Sequence, residues 1–212
     1  ETVLKGVNNF FMNLITYLKT VPKLKKNMFA KLRGLIRAVF TIFSVSVYVS
    51  FVALRGLILG FNLKFSLRSR KKFSRFLMWI FGIKIEKHGE PPQGTYIYIG
   101  NHRSYMDPMI SLCHVEAVPV AKAELSGWPL IGYGAKITGI LFVKRESKTS
   151  RGATMEAMRN YLREGFSVLI YPEGTTHIEN KTIAFQKGAF SLAAKENIPI
   201  VPMALIYKDI ND

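Results

Sequence analysis

A chain of 212 residues with 49% hydrophobic side chains is long enough to bury a full core, and one domain plus an appendage is the natural count. Cys113 is the only cysteine, which excludes an intrachain disulfide, and Cys113, His114 and His177 lack the spacing of metal ligands, so no metal is expected. The net charge of +16 is uneven: residues 1–90 carry 17 Lys and Arg against 3 Glu, and residues 91–212 carry 13 against 11 Asp and Glu. A near-neutral domain therefore carries a basic arm suited to an anionic surface, either lipid headgroups or nucleic acid.

In the arm, Val3, Leu4, Val7, Phe10, Phe11, Leu14, Ile15 and Leu18 recur at helical spacing, with Lys5, Asn8, Asn9 and Asn13 on the other side. That pattern predicts an amphipathic helix over residues 1–20, on a membrane or packed on its own protein. Pro22 breaks it, and a basic bridge from Val21 to Arg37 follows. Ala38–Leu54 then runs 17 residues without a charge. As a helix this is about 25 Å, short of the roughly 30 Å hydrocarbon core. Gly56–Phe61 resumes the apolar character, and Lys64, Arg68, Arg70, Lys71, Lys72 and Arg75 follow. Basic clusters on both flanks ask both ends to stay on the cytoplasmic face, which one span cannot satisfy. An element dipping into one leaflet satisfies it, with Lys and Arg snorkelling to phosphates. The expectation is a monotopic anchor, rather than a single span, on the cytoplasmic face of the cell membrane. It occupies residues 1–75 and precedes a folded domain over 76–212. The apolar run starts too far into the chain for a signal peptide and lacks a cleavage pattern. No nucleic-acid partner is expected, because DNA has no use for the long apolar run.

From residue 91 strands and helices alternate. Strands are predicted at Tyr96–Ile99, Ala117–Ala121, Ile140–Val143, Ser167–Tyr171 and Ile200–Tyr207. Helices are predicted at Pro108–Val115, Pro129–Ile137, Ser150–Arg163 (capped by Ser150) and Phe185–Lys195. The fold class is α/β, with a largely parallel sheet covered by helices. In such sheets ligands sit outside the carboxyl ends of the strands, and four of these ends are polar. They read Asn101-His102, Lys122 with Glu124, Lys144-Arg145, and Tyr171-Pro172-Glu173-Gly174-Thr175.

Asp107 follows His102 by five positions, and the two can meet only across a turn, which Asn101, Ser104 and Pro108 favour. Once met, the carboxylate accepts from one imidazole nitrogen and leaves the other free to take a proton. Asp before Pro is equally an ordinary helix start. Arg145 offers a planar fork for a phosphate, or is a solvated charge beside Lys144 and Glu146. Gly174, with Thr175 and Thr176, can turn backbone N–H groups to an anion. Glu173 can hold a hydroxyl or orient Arg145, or is a turn residue after Pro172.

Together these residues resemble the glycerolipid acyltransferases, in particular the lysophosphatidic acid acyltransferases. The block N-H-x-x-x-x-D matches Asn101, His102 and Asp107, and G-x-x-F-V-x-R matches Gly139, Phe142, Val143 and Arg145. F-P-E-G-T-R matches Pro172, Glu173, Gly174 and Thr175, with Tyr171 for Phe and Thr176 for Arg; Lys187 or Lys181 could replace that arginine. A fourth block matches Ile200-Val201-Pro202-Met203, and Ala121–Leu125 looks like the K-x-E-L segment. The resemblance implies transfer of an acyl group from acyl-acyl carrier protein or acyl-CoA to the sn-2 hydroxyl of lysophosphatidic acid, with no cofactor. It implies His102 as general base, Asp107 as its orienter, and Lys122 or a nearby N–H as oxyanion donor. Arg145, Glu173, Gly174 and Thr175 would bind the acceptor. The alternatives are another acceptor, such as glycerol-3-phosphate or another lysolipid, and a non-catalytic membrane-surface binding module.

Overall fold

The computed structural model describes residues 28–128, 131–177 and 181–207. The helix predicted over residues 1–20 lies outside them, as does the basic bridge up to residue 27. The first described element is α1, Met28–Leu59, a 32-residue helix. At 1.5 Å per residue it is about 48 Å long. The uncharged run is therefore only its middle, and the length argument against a span does not hold. Charge does not end a helix, and the run's hydroxyls do not disturb it: Thr41, Ser44 and Ser46 return their protons to carbonyls four residues back.

Gly60 turns the chain in the left-handed region, and Asn62 caps α2, Leu63–Phe81, by accepting the Phe65 N–H at 2.9 Å. Gly82 ends α2 in the left-handed conformation. The two helices run antiparallel, with Phe51 meeting Phe65, Tyr48 stacked on Phe73 at 4.2 Å, and Phe40 meeting Phe76. A boundary at residue 75 would fall inside α2.

The remaining elements are β1 Ile97–Gly100, α3 Asp107–Leu112, β2 Ala117–Lys122, a 3₁₀ turn Ala123–Gly127, α4 Ile131–Ile137 and β3 Leu141–Val143. They continue with α5 Lys148–Arg163, β4 Ser167–Ile170, α6 Gly188–Glu196 and β5 Ile200–Met203. All five strands are parallel, in the order β3-β2-β4-β1-β5. This is the expected α/β class, with boundaries displaced by a few residues. Ser147, not Ser150, caps α5; Ser150 Oγ instead accepts the Lys144 N–H at 3.0 Å. The last strand stops at Met203 rather than Tyr207.

Strand alternation divides the core. Ile97, Ile99 and Val168 meet Met158 and Leu162 of α5 and Leu192 of α6 on one face. Tyr98 and Leu169 meet Leu112 and Val115 on the other. There α3 lies between sheet and α2, through Ile110 and Cys113 against Leu77, Met78 and Ile80. The helix α1 is the outermost layer. Its outward side chains, among them Leu35, Phe43, Phe51 and Leu57, are exposed.

Candidate active site

Parallel pairing decides what converges. Ile99 pairs with Ile170, so His102 and Glu173, each three residues further on, leave adjacent strands side by side. Lys122 pairs with Val143, which sets Arg145 two residues beyond on the edge strand. The four polar ends thus share one edge of the sheet. At about 4.8 Å per strand, β3 stands roughly 14 Å from β1.

Asp107 is fully buried and is met by four donors. Its Oδ2 accepts the His102 Nδ1–H at 2.9 Å, the Arg103 N–H at 2.6 Å and the Ser104 N–H at 2.8 Å. Its Oδ1 accepts the Tyr207 hydroxyl. A carboxylate only accepts, so the shared proton of the dyad sits on His102 Nδ1. The other ring nitrogen, Nε2, has no hydrogen-bond partner among the described residues. Asp107 does not cap α3, whose start has no side-chain cap. The Asp-Pro signal marks the helix start, but the carboxylate is spent on the preceding loop. Within that loop Ser104 Oγ accepts the Met106 N–H at 3.1 Å.

The His102 ring stacks on Tyr171, centroids 4.5 Å apart. Tyr171 is buried and hydrogen-bonds Ser111 of α3 at 2.9 Å. Burial pushes its phenol far above the ordinary tyrosine value, against the Ser111 hydrogen bond. Asn101 fixes the loop from behind: its amide donates to Leu205 O at 2.9 Å and accepts the Leu205 N–H at 2.7 Å.

Glu173 is turned inward rather than toward the open edge. Its buried carboxylate accepts the His102 N–H at 3.2 Å and meets His177 Nε2. Arg145 makes no contact with it among the described residues. Gly174 takes a positive φ of 74° that a side chain would strain, and its N–H closes the turn onto Tyr171 O at 3.0 Å. Thr175 is exposed beside it. Lys122 is about half exposed and pairs with Glu124 at 3.2 Å. Glu124 is held below the ordinary carboxylate range, first by its own backbone N–H, then by Lys122 and by Arg145, so these cations share one neighbourhood. Among the described residues no group of His, Cys, Asp or Glu is placed to hold a metal ion.

Sequence reasoning missed Tyr207, His177, Ser111 and the two loop N–H groups. Tyr207 lies 100 positions from Asp107, and no local signal joins them.

The acyltransferase family profile matches residues 83–206, more than half of the chain. The chain belongs to the acyltransferase family. Among its relatives, the 1-acyl-sn-glycerol-3-phosphate acyltransferase of Chlamydomonas reinhardtii is 35% identical over 55% of this chain and 35% of its own length. The human 1-acyl-sn-glycerol-3-phosphate acyltransferase alpha is 30% identical over 61% of this chain and 48% of its own. The 1-acyl-sn-glycerol-3-phosphate acyltransferase of Borreliella burgdorferi is 34% identical over 60% and 53%. The chain thus spans about a third to a half of these relatives. The fold is also that of the crystal structure of the 1-acyl-sn-glycerophosphate (LPA) acyltransferase PlsC from Thermotoga maritima. That match has a TM-score of 0.64 at 23% identity, over 81% of this chain and 73% of the other. As an acyltransferase fold, the sheet edge with the dyad is where chemistry is to be sought.

Proposed function

We propose that this acyltransferase moves a fatty acyl group from a thioester, acyl-acyl carrier protein or acyl-CoA, to the sn-2 hydroxyl of lysophosphatidic acid. The observation that carries the reading is the 2.9 Å contact between His102 Nδ1 and buried Asp107, which leaves Nε2 unengaged at the open end of β1. A secondary alcohol does not ionise near neutral pH, so Nε2 takes its proton as the oxygen attacks the thioester carbonyl. The imidazolium forms against the Asp107 carboxylate. Collapse of the tetrahedral intermediate expels a thiolate, which recovers the proton from His102 and leaves as the thiol. The other product is phosphatidic acid.

Lys122, released from Glu124, is the donor proposed for the oxyanion. Arg145 holds the acceptor phosphate, with the turn made by Gly174 presenting the Thr175 backbone to it. The roughly 14 Å between the strands of His102 and Arg145 suits this division, because it leaves room for a glycerol phosphate between the two strand ends. Glu173 supports His102 rather than the acceptor.

The apolar helix α1 fits membrane association. Its position supports a one-leaflet anchor, and the basic residues on both flanks of its apolar run favour the cytoplasmic side. Its partner α2 is docked on the sheet domain through Arg70, Arg75, Leu77 and Ile80. A spanning α1 would drag α2, with Lys64, Arg68 and Lys72 exposed, through the hydrocarbon. Lying flat, α1 buries its outer face while these cations reach phosphates.

The test is acyl transfer in detergent or bilayer with lysophosphatidate, glycerol-3-phosphate and other lysolipids offered as acceptors. Turnover should be highest with lysophosphatidate and fall by about 10³-fold or more in His102→Ala. Preference for another acceptor would replace the substrate assignment, and unchanged turnover in His102→Ala would refute the mechanism.

A further inference from the structure

Glu173 and His177 form a second acid–histidine pair immediately beside the dyad. The Glu173 side chain is fully buried, and among the described residues no Lys or Arg lies within ion-pair reach of it. Its Oε1 accepts the His102 N–H, and its Oε2 meets His177 Nε2. The His177 main-chain N–H donates to His102 O at 3.3 Å. The loop after β4 therefore grips both backbone groups of His102, and the His177 ring closes the circuit. The other His177 nitrogen, Nδ1, is buried with no hydrogen-bond partner among the described residues, where Glu173 is the polar group the ring serves.

A buried carboxylate without a donor on each oxygen is costly, by several kcal/mol where its charge is left uncompensated. Without the His177 ring, Oε2 of Glu173 loses its donor, and a carboxylate that turns toward water to replace it releases the His102 N–H. Asp107 sets the tautomer and tilt of the His102 ring and holds the peptide after it through the Arg103 N–H. Glu173 holds the peptide before it through the His102 N–H. A displacement of about 1 Å at a reacting group costs on the order of 10²-fold in rate.

We propose that His177 is a positioning residue for His102. With its proton on Nε2, it holds Glu173 against the His102 N–H and thereby sets the height of the catalytic ring above the strand end. It acts without touching either substrate. The inference rests on the acyl-transfer reading for its kinetic consequence but not for its structural one.

Two measurements test it, on the full chain in detergent. In the acyl-transfer assay His177→Ala should lower kcat by about 10- to 100-fold, with donor and acceptor KM within about three-fold. His177→Gln, whose amide nitrogen can stand near the position of Nε2, should recover most of the loss. A Gln variant as slow as Ala, an unchanged kcat in His177→Ala, or an effect confined to acceptor KM would overturn the assignment. The second measurement needs no turnover. Imidazole 15N spectra of the parent should place a proton on His177 Nε2 and hold His102 in one Nδ1–H form. In His177→Ala the His102 signals should shift and broaden, and in His177→Gln they should return. A bare Nε2 on His177, or His102 signals indifferent to its removal, would overturn the inference even if lysophosphatidate proved not to be the acceptor.

Discussion

Replacing Asp107 by asparagine separates the charge of this residue from its geometry. Three of its four donors converge on Oδ2, two of them N–H groups of a loop that cannot turn away. The asparagine amide has one orientation that fits: oxygen at the Oδ2 position, and NH₂ toward the Tyr207 hydroxyl, which accepts by rotating. The His102 Nδ1–H keeps its acceptor, so tautomer and ring position survive and only the negative charge is lost. Across a contact of this length, charges about 4 Å apart interact by roughly 4 kcal/mol at an effective dielectric of 20. A neutral hydrogen bond retains about 1–1.5 kcal/mol of that. The imidazolium-like transition state should then lose about 2–3 kcal/mol, a kcat lower by roughly 30- to 150-fold. Asp107→Ala removes acceptor and charge together. It should cost about 10³-fold or more in kcat and destabilise the fold by roughly 2–6 kcal/mol, because the Arg103 and Ser104 N–H groups lose their partner. Initial rates with lysophosphatidate and acyl-CoA, beside urea or thermal unfolding of each variant, measure both quantities. An asparagine variant as slow as the alanine one would refute the reasoning, since it would mean that the loop does not fix the amide. A loss below about three-fold would equally refute it, since the charge would then be idle.

Arg145→Ala should raise acceptor KM by about 10- to 150-fold, the worth of a charged hydrogen bond to phosphate, with donor KM unchanged; an effect on the donor alone would remove Arg145 from the acceptor site. Substituting serine at Leu57, Ile58, Leu59 and Phe61, the exposed apolar end of α1 and the turn after it, should release the chain from vesicles in a flotation assay. Each such side chain contributes about 1.5–3 kcal/mol of burial, so a variant that still floats at high salt would place the anchor elsewhere. Burial pushes the Cys113 thiol up to about 11, with Arg75 opposing. Alkylation of the native protein at pH 8 should therefore run about 10²-fold slower than after unfolding, because fewer thiols are ionised. The sign for stability follows: a thiol kept neutral by the fold contributes fully below its ordinary value near 9 and loses that contribution as pH rises through 11. Native and unfolded rates that agree would show Cys113 to be accessible.

The parallel sheet was legible because apolar runs such as Val168–Ile170 repeat between turn signals, and the same periodicity set the strand ends from which His102, Lys122, Arg145 and Glu173 depart. Which way those side chains face was not legible. Glu173 follows a proline at a strand end, where sequence cannot distinguish an open carboxylate from one folded back onto a neighbouring backbone. Tyr207 and Asp107 meet only through the pairing of β5 with β1, a contact without local trace. Hydropathy shortened α1, because it stops at Arg37 and Arg55 while the backbone ladder does not. Arg70 was grouped with its basic neighbours, although it falls on the buried stripe of Ser66, Leu67, Ser74, Leu77 and Met78.

That buried arginine bears on how the anchor is joined to the site. Its Nη1 donates to Thr138 O at 2.9 Å and its Nη2 to Ala117 O at 2.6 Å, with no carboxylate of the described residues in ion-pair reach, and burial draws the guanidinium down to about 10. Such a group stays buried only while both carbonyls remain in place, because losing either leaves a charge uncompensated in the interior. Around it, Ser66 reaches Ile137 O, Arg75 reaches Cys113 O, and Gly139, at a φ of 78°, lies close enough under Leu63 of α2 that a Cβ would displace the leucine side chain. Gly139 begins the segment that carries Arg145, and Cys113 ends the helix that Asp107 begins. The helical hairpin is therefore a packed layer of the domain rather than a tether, fixed to the elements that supply the dyad and the proposed phosphate contact. For the proposed lipid acceptor, this packing would set the angle between the site and the membrane plane as the chain folds.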